Sequence, residues 1–180
     1  MESRKSRDYD AVLSIYKKTG YEPVFLSIDW KYKTIDDWLE QVKSKLSKKD
    51  IEGSLLSGFS FGAVTALSLA GYYQNPRGLF LFSLSCYYAE DQKRIPQGWV
   101  KYIGKHRAEA FAKINFNDLA SRVSCPTTIF LGSKEDPAMF DRASDANHKI
   151  ENSKFVIAEG AKHDIASPEY IRAIGTVLRV

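Results

Sequence analysis

The chain has 180 residues, of which 44% are hydrophobic and 13% aromatic, which is enough for one domain with a sizeable core. Its 26 Lys and Arg and 22 Asp and Glu leave a formal charge of +4. These charges are scattered, with no long block of one sign of the kind that binds a nucleic acid backbone. No apolar run reaches the roughly 18 residues of a membrane span, and the first residues lack a signal-type apolar segment.

The two cysteines, Cys86 and Cys125, share no short motif and suggest no disulfide framework. We expect both to be reduced and structural, as in a cytosolic protein. Together with the charge pattern, this predicts a soluble, cytoplasmic protein that binds neither nucleic acid nor membrane.

Helical patterns alternate with short apolar runs along the chain. Residues 6–23 are predicted to form a helix and then a turn, and residues 34–46 a helix with one apolar face and Thr34 as its N-cap. Residues 61–73 are small and apolar almost all round, which is typical of a helix packed deep against a sheet. The last helix is predicted to begin after Ser167.

Five short runs rich in β-branched and aromatic residues are predicted strands: VFLSI (24–28), SLLS (54–57), LFLFSL (79–84), TTIFL (127–131) and KFVIA (154–158). Their apolarity is continuous rather than alternating, which indicates strands buried on both faces. The alternation of strands and helices predicts an α/β fold in which a mainly parallel sheet of about five or six strands is flanked by helices.

Residues 86–126 are too many for a simple connection between two strands. The segment is partly helical by pattern and carries six aromatic residues that need a core to bury them: Tyr87, Tyr88, Trp99, Tyr102, Phe111 and Phe116. We therefore predict a single domain over residues 1–180, with a small, partly helical insertion at about 86–126.

The sequence GFSFG, from Gly58 to Gly62, matches G-x-S-x-G at the junction of a predicted strand and a predicted helix. A sharp turn there would hold Ser60 in a strained backbone conformation and lift its hydroxyl above the sheet, with the two glycines giving it room. The N–H of Phe61, at the start of the helix, would face negative charge that develops on a substrate oxygen. The pattern predicts a nucleophilic serine.

A serine nucleophile needs a base, and the base needs a group that orients it. Of the three histidines, His163 follows the last predicted strand, whereas His106 and His148 lie in charged helical surroundings typical of exposed residues. The loop after the TTIFL strand offers two acids, Glu135 and Asp136. The predicted catalytic set is therefore a serine, one of these two acids and His163, in that chain order.

The histidines lack the spacing of metal ligands, and the cysteines are isolated, so we expect no metal site. No G-x-G-x-x-G or G-x-x-x-x-G-K-[ST] follows a predicted strand. A nucleotide-binding domain is therefore disfavoured, and we expect no cofactor.

On these motifs the sequence resembles the α/β-hydrolase family, in particular its small, compact serine hydrolases with little or no lid. The resemblance covers residues 21–180, where GFSFGA resembles the nucleophile elbow, SCPTTIFLGSKEDP the strand and acid loop, and GAKHDIASPEYIRAI the histidine loop and closing helix. It implies a three-layer α/β-hydrolase fold and the order serine, acid, histidine.

The resemblance leaves the choice of acid open. In that family the acid usually lies three residues after the loop glycine, which points from Gly132 to Glu135, whereas the frequent Asp-Pro pairing points to Asp136. The family also has a strand and a His-Gly or Pro-Gly loop before the first helix here, and that loop supplies the second oxyanion donor. The N-terminal strand and oxyanion loop have no counterpart in the helix and turn predicted over residues 6–23, so the second donor is not assigned.

The sequence thus predicts a serine hydrolase of carboxylic esters or thioesters, with a small-molecule ester-type substrate and an acyl-enzyme intermediate. The alternative is a degenerate, catalytically weak α/β-hydrolase-fold protein that serves in binding or interaction. An uncovered sheet edge on the N-terminal side would favour pairing with a second copy, so a homodimer is a further expectation.

Overall fold

The computed structural model describes residues 9–73 and 76–179. Its sheet contains β1 (Leu55–Phe59), β2 (Gly78–Phe82), β3 (Thr127–Gly132) and β4 (Ser153–Ala158), all parallel and in the spatial order β1-β2-β3-β4. The parallel α/β arrangement is confirmed. The expected five or six strands are wrong, because the sheet has four strands within the described part of the chain.

Nine α-helices lie within these residues: α1 (Asp10–Lys18), α2 (Ile35–Lys43), α3 (Lys48–Glu52), α4 (Phe61–Tyr73), α5 (Gln97–Ile103), α6 (Lys105–Phe111), α7 (Phe116–Ser121), α8 (Pro137–Lys149) and α9 (Pro168–Leu178). Helix α4 has the predicted bounds, and α2 begins after the predicted Thr34 cap, which forms a capping box with Asp37. Ser167 caps α9, as predicted. Of the first predicted helix, residues 6–8 lie outside the described residues.

The helices form two layers, one on each face of the sheet. Leu79 and Leu81 of β2 belong to the core shared with α2, α4 and α8, whereas Phe80 and Phe82 belong to the core shared with α1 and α9. Successive strand residues point to opposite faces, so a strand that is apolar throughout supplies both cores. This explains why the runs of continuous apolarity predicted β2 and β3, which are buried along their whole lengths.

The predicted strand at 24–28 is wrong, because this segment has no regular secondary structure. It lines a cavity of about 790 Å³ that β1 also lines, together with parts of α1 and α4. Strands pair only when their backbones approach within about 5 Å. The cavity lies between this segment and β1, and the segment does not pair with β1. An apolar composition is therefore not sufficient to make the segment a strand of the sheet.

The segment 86–126 contains a short 3-10 helix (Ala89–Asp91) and the helices α5, α6 and α7. Phe111 is fully buried and contacts the ring of Trp38 on α2, with the ring centroids 6.1 Å apart. Tyr88 and Phe116 are also buried, but Tyr102 is 70% exposed, contrary to the expectation that all six aromatic residues need a core. The insertion therefore packs on the α2 and α4 side of the sheet.

Cys86 and Cys125 are both buried and free. Burial raises the pKa of the Cys86 thiol to about 12, so this thiol stays protonated near neutral pH. Among residues 9–73 and 76–179, no helix is long and apolar enough to cross a membrane.

Candidate active site

The carboxyl ends of the four parallel strands lie at one edge of the sheet, where α/β proteins usually place their sites. Ser60 follows β1 directly, Ser83 follows β2, Glu135 lies in the loop after β3, and His163 lies in the loop after β4. The topology therefore brings residues that are far apart in the sequence to one edge.

Ser60 occupies a sharp turn between β1 and α4 and has the strained backbone that the motif predicts, with a φ of 55°. Left-handed backbone is uncommon for a residue other than glycine and persists only where the surroundings hold it. Here the Ser60 N–H donates to the carbonyl of Phe82 at 2.9 Å, and the Ser60 carbonyl accepts from the N–H groups of Ala63 (3.0 Å) and Val64 (3.2 Å). Strand β2 and the first turn of α4 thus fix the serine from both sides.

The two glycines of the motif are not equivalent, which corrects the expectation that both give room to the turn. A Cβ atom on Gly58 would lie 2.1 Å from the carbonyl oxygen of Gly62, inside the backbone of α4. A Cβ atom on Gly62 would meet no atom within 4 Å among the described residues apart from its chain neighbours and the backbone of its own helix. The close approach of β1 and α4 therefore requires glycine only at position 58.

Phe61 is the first residue of α4, so its N–H has no acceptor within the helix. An N–H at a helix N-terminus, directly after a nucleophile, can stabilise negative charge on a substrate oxygen. The Phe61 side chain is buried against Trp38 and Phe111, with ring centroids 5.0 and 5.6 Å away. This packing anchors the residue that carries the donor.

The structure pairs His163 with Glu135. The Nδ1 atom of His163 lies 2.7 Å from Oε2 of Glu135, and the glutamate side chain is only 1% exposed, whereas that of the histidine is 46% exposed. The imidazole ring also packs on Phe59, the residue before Ser60, with centroids 4.6 Å apart. The acid therefore holds the Nδ1 edge of the imidazole, and the last residue of β1 packs on the ring.

Asp136, the other candidate acid, has a different contact. Its carboxylate accepts a hydrogen bond from the N–H of Ala138 at 2.9 Å and caps α8, whose first residue is Pro137. An aspartate before Pro at the first helical position is a common N-cap. The Asp-Pro pair that made Asp136 a candidate is accounted for by the start of this helix.

Burial by itself would raise the pKa of Glu135, because it penalises the charged carboxylate. Hydrogen bonds from His163, Tyr170, Ser83 and the Gly132 N–H outweigh burial and hold the pKa of Glu135 below its ordinary value. The glutamate therefore stays ionised at neutral pH and can orient and stabilise a protonated imidazole.

His106 and His148 are exposed. Within the described residues, no group of three or more His, Cys, Asp or Glu side chains could hold a metal ion.

Three polar residues at this edge were not identified from the sequence: Ser83, Ser85 and Tyr170. The Ser85 hydroxyl lies 3.4 Å from the Ser60 hydroxyl, and Ser83 and Tyr170 both contact Glu135. The position of Ser83 just after a predicted strand could have indicated it, since strand ends converge at such sites. Nothing in the sequence distinguishes Tyr170 from the other nine tyrosines.

The sequence matches no protein-family model, and no curated protein matches it. Solved structures do match. Est1E from Butyrivibrio proteoclasticus superimposes with a TM-score of 0.75 at 14% identity, over 99% of this chain and 82% of that chain. MGS-MChE2, an α/β-hydrolase enzyme from a sediment metagenome of the Mar Chica lagoon in Morocco, gives a TM-score of 0.72 at 15% identity, over 99% and 85%.

The esterase domain of a Rhodothermus marinus protein has a TM-score of 0.70 at 16% identity, over 98% of this chain and 80% of that chain. At these identities the similarity concerns the fold and not the substrate, and the structural superposition extends over nearly the whole chain. With the parallel sheet, the two helical layers and the serine turn between β1 and α4, it shows that the chain has the α/β-hydrolase fold.

Proposed function

We propose that this protein is a serine hydrolase that cleaves carboxylic esters or thioesters through an acyl-enzyme. The observation that carries the proposal is the Glu135–His163 pair, at 2.7 Å, whose imidazole packs on Phe59, the residue before a serine with left-handed backbone at the end of β1. A buried carboxylate, an imidazole that it orients and a strained serine are the three parts that nucleophilic acyl transfer needs. The hydrolases among the similar structures support the same class of reaction.

In the proposed mechanism the Ser60 hydroxyl oxygen attacks the acyl carbon, and His163 takes the hydroxyl proton through Nε2. Glu135 holds Nδ1 and offsets the charge of the imidazolium. His163 then gives the proton to the departing alcohol or thiol as the bond to the acyl carbon breaks. Water then attacks the acyl-enzyme with His163 as the base, and the carboxylic acid is released. Ser60 and His163 return to their starting protonation states.

The Phe61 N–H is the proposed oxyanion donor in both halves of the reaction. Ser85, whose hydroxyl lies 3.4 Å from that of Ser60, can donate to the nucleophile or to the substrate oxygen beside it.

We also propose that the insertion at 86–126 contributes a wall of the substrate pocket. Tyr87 contacts the ring of Phe61, next to the nucleophile, with centroids 6.1 Å apart, and it contacts Trp99 at 6.0 Å. An aromatic wall suits an apolar acyl or alcohol group. A solved structure of Est1E has ferulic acid bound, which is an aromatic carboxylic acid.

A fluorophosphonate probe tests the proposal, because such probes label only an activated serine. We expect the wild-type protein to be labelled and Ser60→Ala to lose the label, with hydrolysis of p-nitrophenyl acetate falling on the order of 10⁴-fold or more. Ser68→Ala is the matched control. Ser68 is a buried serine two turns along α4, and we expect this variant to label like the wild type.

The same experiment separates the enzyme from the alternative, a protein of the same fold that only binds a partner. Absence of labelling in a wild-type protein whose circular dichroism shows it to be folded would overturn the serine hydrolase proposal. Labelling that persists in Ser60→Ala would contradict the choice of nucleophile.

A further inference from the structure

The two carboxylate oxygens of Glu135 have different partners. Oε2 contacts His163, whereas Oε1 receives the Gly132 N–H at 2.9 Å, the Ser83 hydroxyl at 2.7 Å and the Tyr170 hydroxyl at 2.5 Å. The Gly132 N–H can only donate, so Oε1 is an acceptor. One oxygen is thus saturated by donors, and the other is left for the imidazole.

The Ser83 and Tyr170 hydroxyl oxygens also lie 2.6 Å from each other. Each hydroxyl has a single proton, so the three oxygens of this cluster have only two hydroxyl protons to share. Burial raises the pKa of Tyr170 far above its ordinary value, and the charge of Glu135 raises it further. The phenol therefore stays protonated as a donor, and the negative charge of the cluster stays on Glu135.

The two hydroxyls reach Oε1 of Glu135 from different elements of the fold. Ser83 lies just after β2, is fully buried and has a left-handed backbone with a φ of 49°. Its N–H donates to the carbonyl of Phe130 in β3 at 2.8 Å, and this hydrogen bond helps to hold the strained conformation. A serine kept in a conformation that costs about 1–3 kcal/mol is more typical of a functional site than of a plain turn.

Tyr170 lies in the first turn of α9, and it too is fully buried. Its ring packs edge-on against Phe59 and Phe82, at centroid distances of 6.3 and 6.2 Å. The phenol therefore reaches Glu135 from the α9 face of the sheet, and the aromatic packing leaves it few other orientations.

We propose that Tyr170 and Ser83 are positioning residues for the reaction, which hold Oε1 of Glu135 so that Oε2 faces His163. This inference rests on the proposed hydrolase function. The hydroxyls do not touch the substrate; they act through the glutamate. Without them, a carboxylate that is 1% exposed would have to orient the imidazole with only one backbone donor on its other oxygen.

Two measurements test this role. The first is the ¹³C NMR titration of the Glu135 carboxyl in Tyr170→Phe and Ser83→Ala, each made in a Ser60→Ala background. The second is the pH dependence of fluorophosphonate labelling in the same variants with Ser60 intact. Each lost hydroxyl removes a donor that stabilises the ionised carboxylate, so the pKa of Glu135 should rise by about one to two units. The acid limb of the labelling profile should move to higher pH with it.

Tyr88→Phe is the matched control. Tyr88 is also fully buried, and its hydroxyl has no hydrogen-bond partner among the described residues, so removing it should change neither the titration nor the labelling profile. Ser83→Gly provides a second test at that position, because it removes the hydroxyl and also relieves the left-handed strain. It should shift the profile as Ser83→Ala does and fold at least as well.

An unchanged Glu135 titration in folded Tyr170→Phe and Ser83→Gly would overturn the positioning role. A shifted titration, together with a folded wild-type protein that the probe does not label, would instead support the hydrogen-bond arrangement and contradict the hydrolase proposal. A loss of stability without a shift of either profile would show that the two hydroxyls have only a structural role.

Discussion

At the residue scale, the elbow depends on one glycine more than on the other. The Cβ of any side chain at position 58 would overlap the backbone of Gly62 and Ala63, because β1 and α4 meet there at backbone distance. Position 62 has open space and lies within a helix, where glycine is less favourable than alanine. The G-x-S-x-G pattern has glycine at both positions, but the packing requires glycine only at position 58.

Gly58→Ala should therefore lower the free energy of unfolding by about 3 kcal/mol, as overpacking against fixed backbone does. Gly62→Ala should leave it unchanged or raise it by up to about 1 kcal/mol. Urea denaturation of the two variants beside the wild type measures both values. Equal losses in the two variants would contradict the steric assignment.

At the element scale, a buried ion pair joins α8 to the insertion. The guanidinium of Arg142 on α8 contacts the carboxylate of Asp91 in the 3-10 helix, with Nε 3.1 Å from each oxygen, and their side chains are 1% and 2% exposed. The guanidinium also lies over the ring of Phe116, 3.9 Å from its centroid. The insertion is thus tied to the core by charge as well as by its aromatic residues.

Arg142→Met should lower the free energy of unfolding by about 3–5 kcal/mol, since it leaves a buried carboxylate without its partner. The double variant Asp91→Leu/Arg142→Met should lose less than Arg142→Met alone, because no buried charge remains. Thermal and urea unfolding measure the difference.

Arg94→Met is the control for that prediction. Arg94 pairs with Asp145 at 3.0 Å, but both side chains are about two-fifths exposed, at 39% and 41%. Loss of an exposed pair should cost less than about 1 kcal/mol. A loss as large as that of Arg142→Met would contradict the role given to burial.

At the scale of the whole molecule, the two edges of the sheet differ. The outer strand β4 carries an exposed Lys154, a charge of the kind that discourages strands from pairing edge to edge. The other outer strand, β1, has the sequence LLSGF without a charge, and it lines the cavity of about 790 Å³. Backbone groups on this edge of β1 have no strand beside them within the described residues.

A homodimer that pairs through β1 stays a prediction on this basis. Light scattering after size exclusion should show a dimer at micromolar concentration, and Ser57→Lys should shift it to a monomer. Ser57 is an exposed residue of β1 that lines the cavity, so the lysine would place a charge at the proposed contact. Thr176→Lys makes the same charge change on the exposed face of α9 and should leave the dimer intact. A wild-type monomer at all concentrations would show the prediction to be wrong.

Much of this molecule follows from short-range patterns. The bounds of α4, the cap of α9 and four of the five predicted strands depend on residues within a few positions of one another. The strained turn at Ser60 is indicated by the neighbouring glycines, and β2 also holds it. The failed prediction at 24–28 has a physical reason: an apolar run becomes a strand only beside another strand, and sequence does not show whether that neighbour is present.

The sequence by itself determined the α/β class, the sharp turn at Ser60 and the short set of residues that we propose as acid and base. Only the tertiary structure shows that Glu135 contacts His163, 28 positions away, and that the carboxylate of Asp136 caps α8. Tyr170 and Ser83 are 87 positions apart, yet their hydroxyls meet on the same glutamate oxygen. Contacts of that kind depend on how strands and helices pack, and local sequence patterns do not predict them.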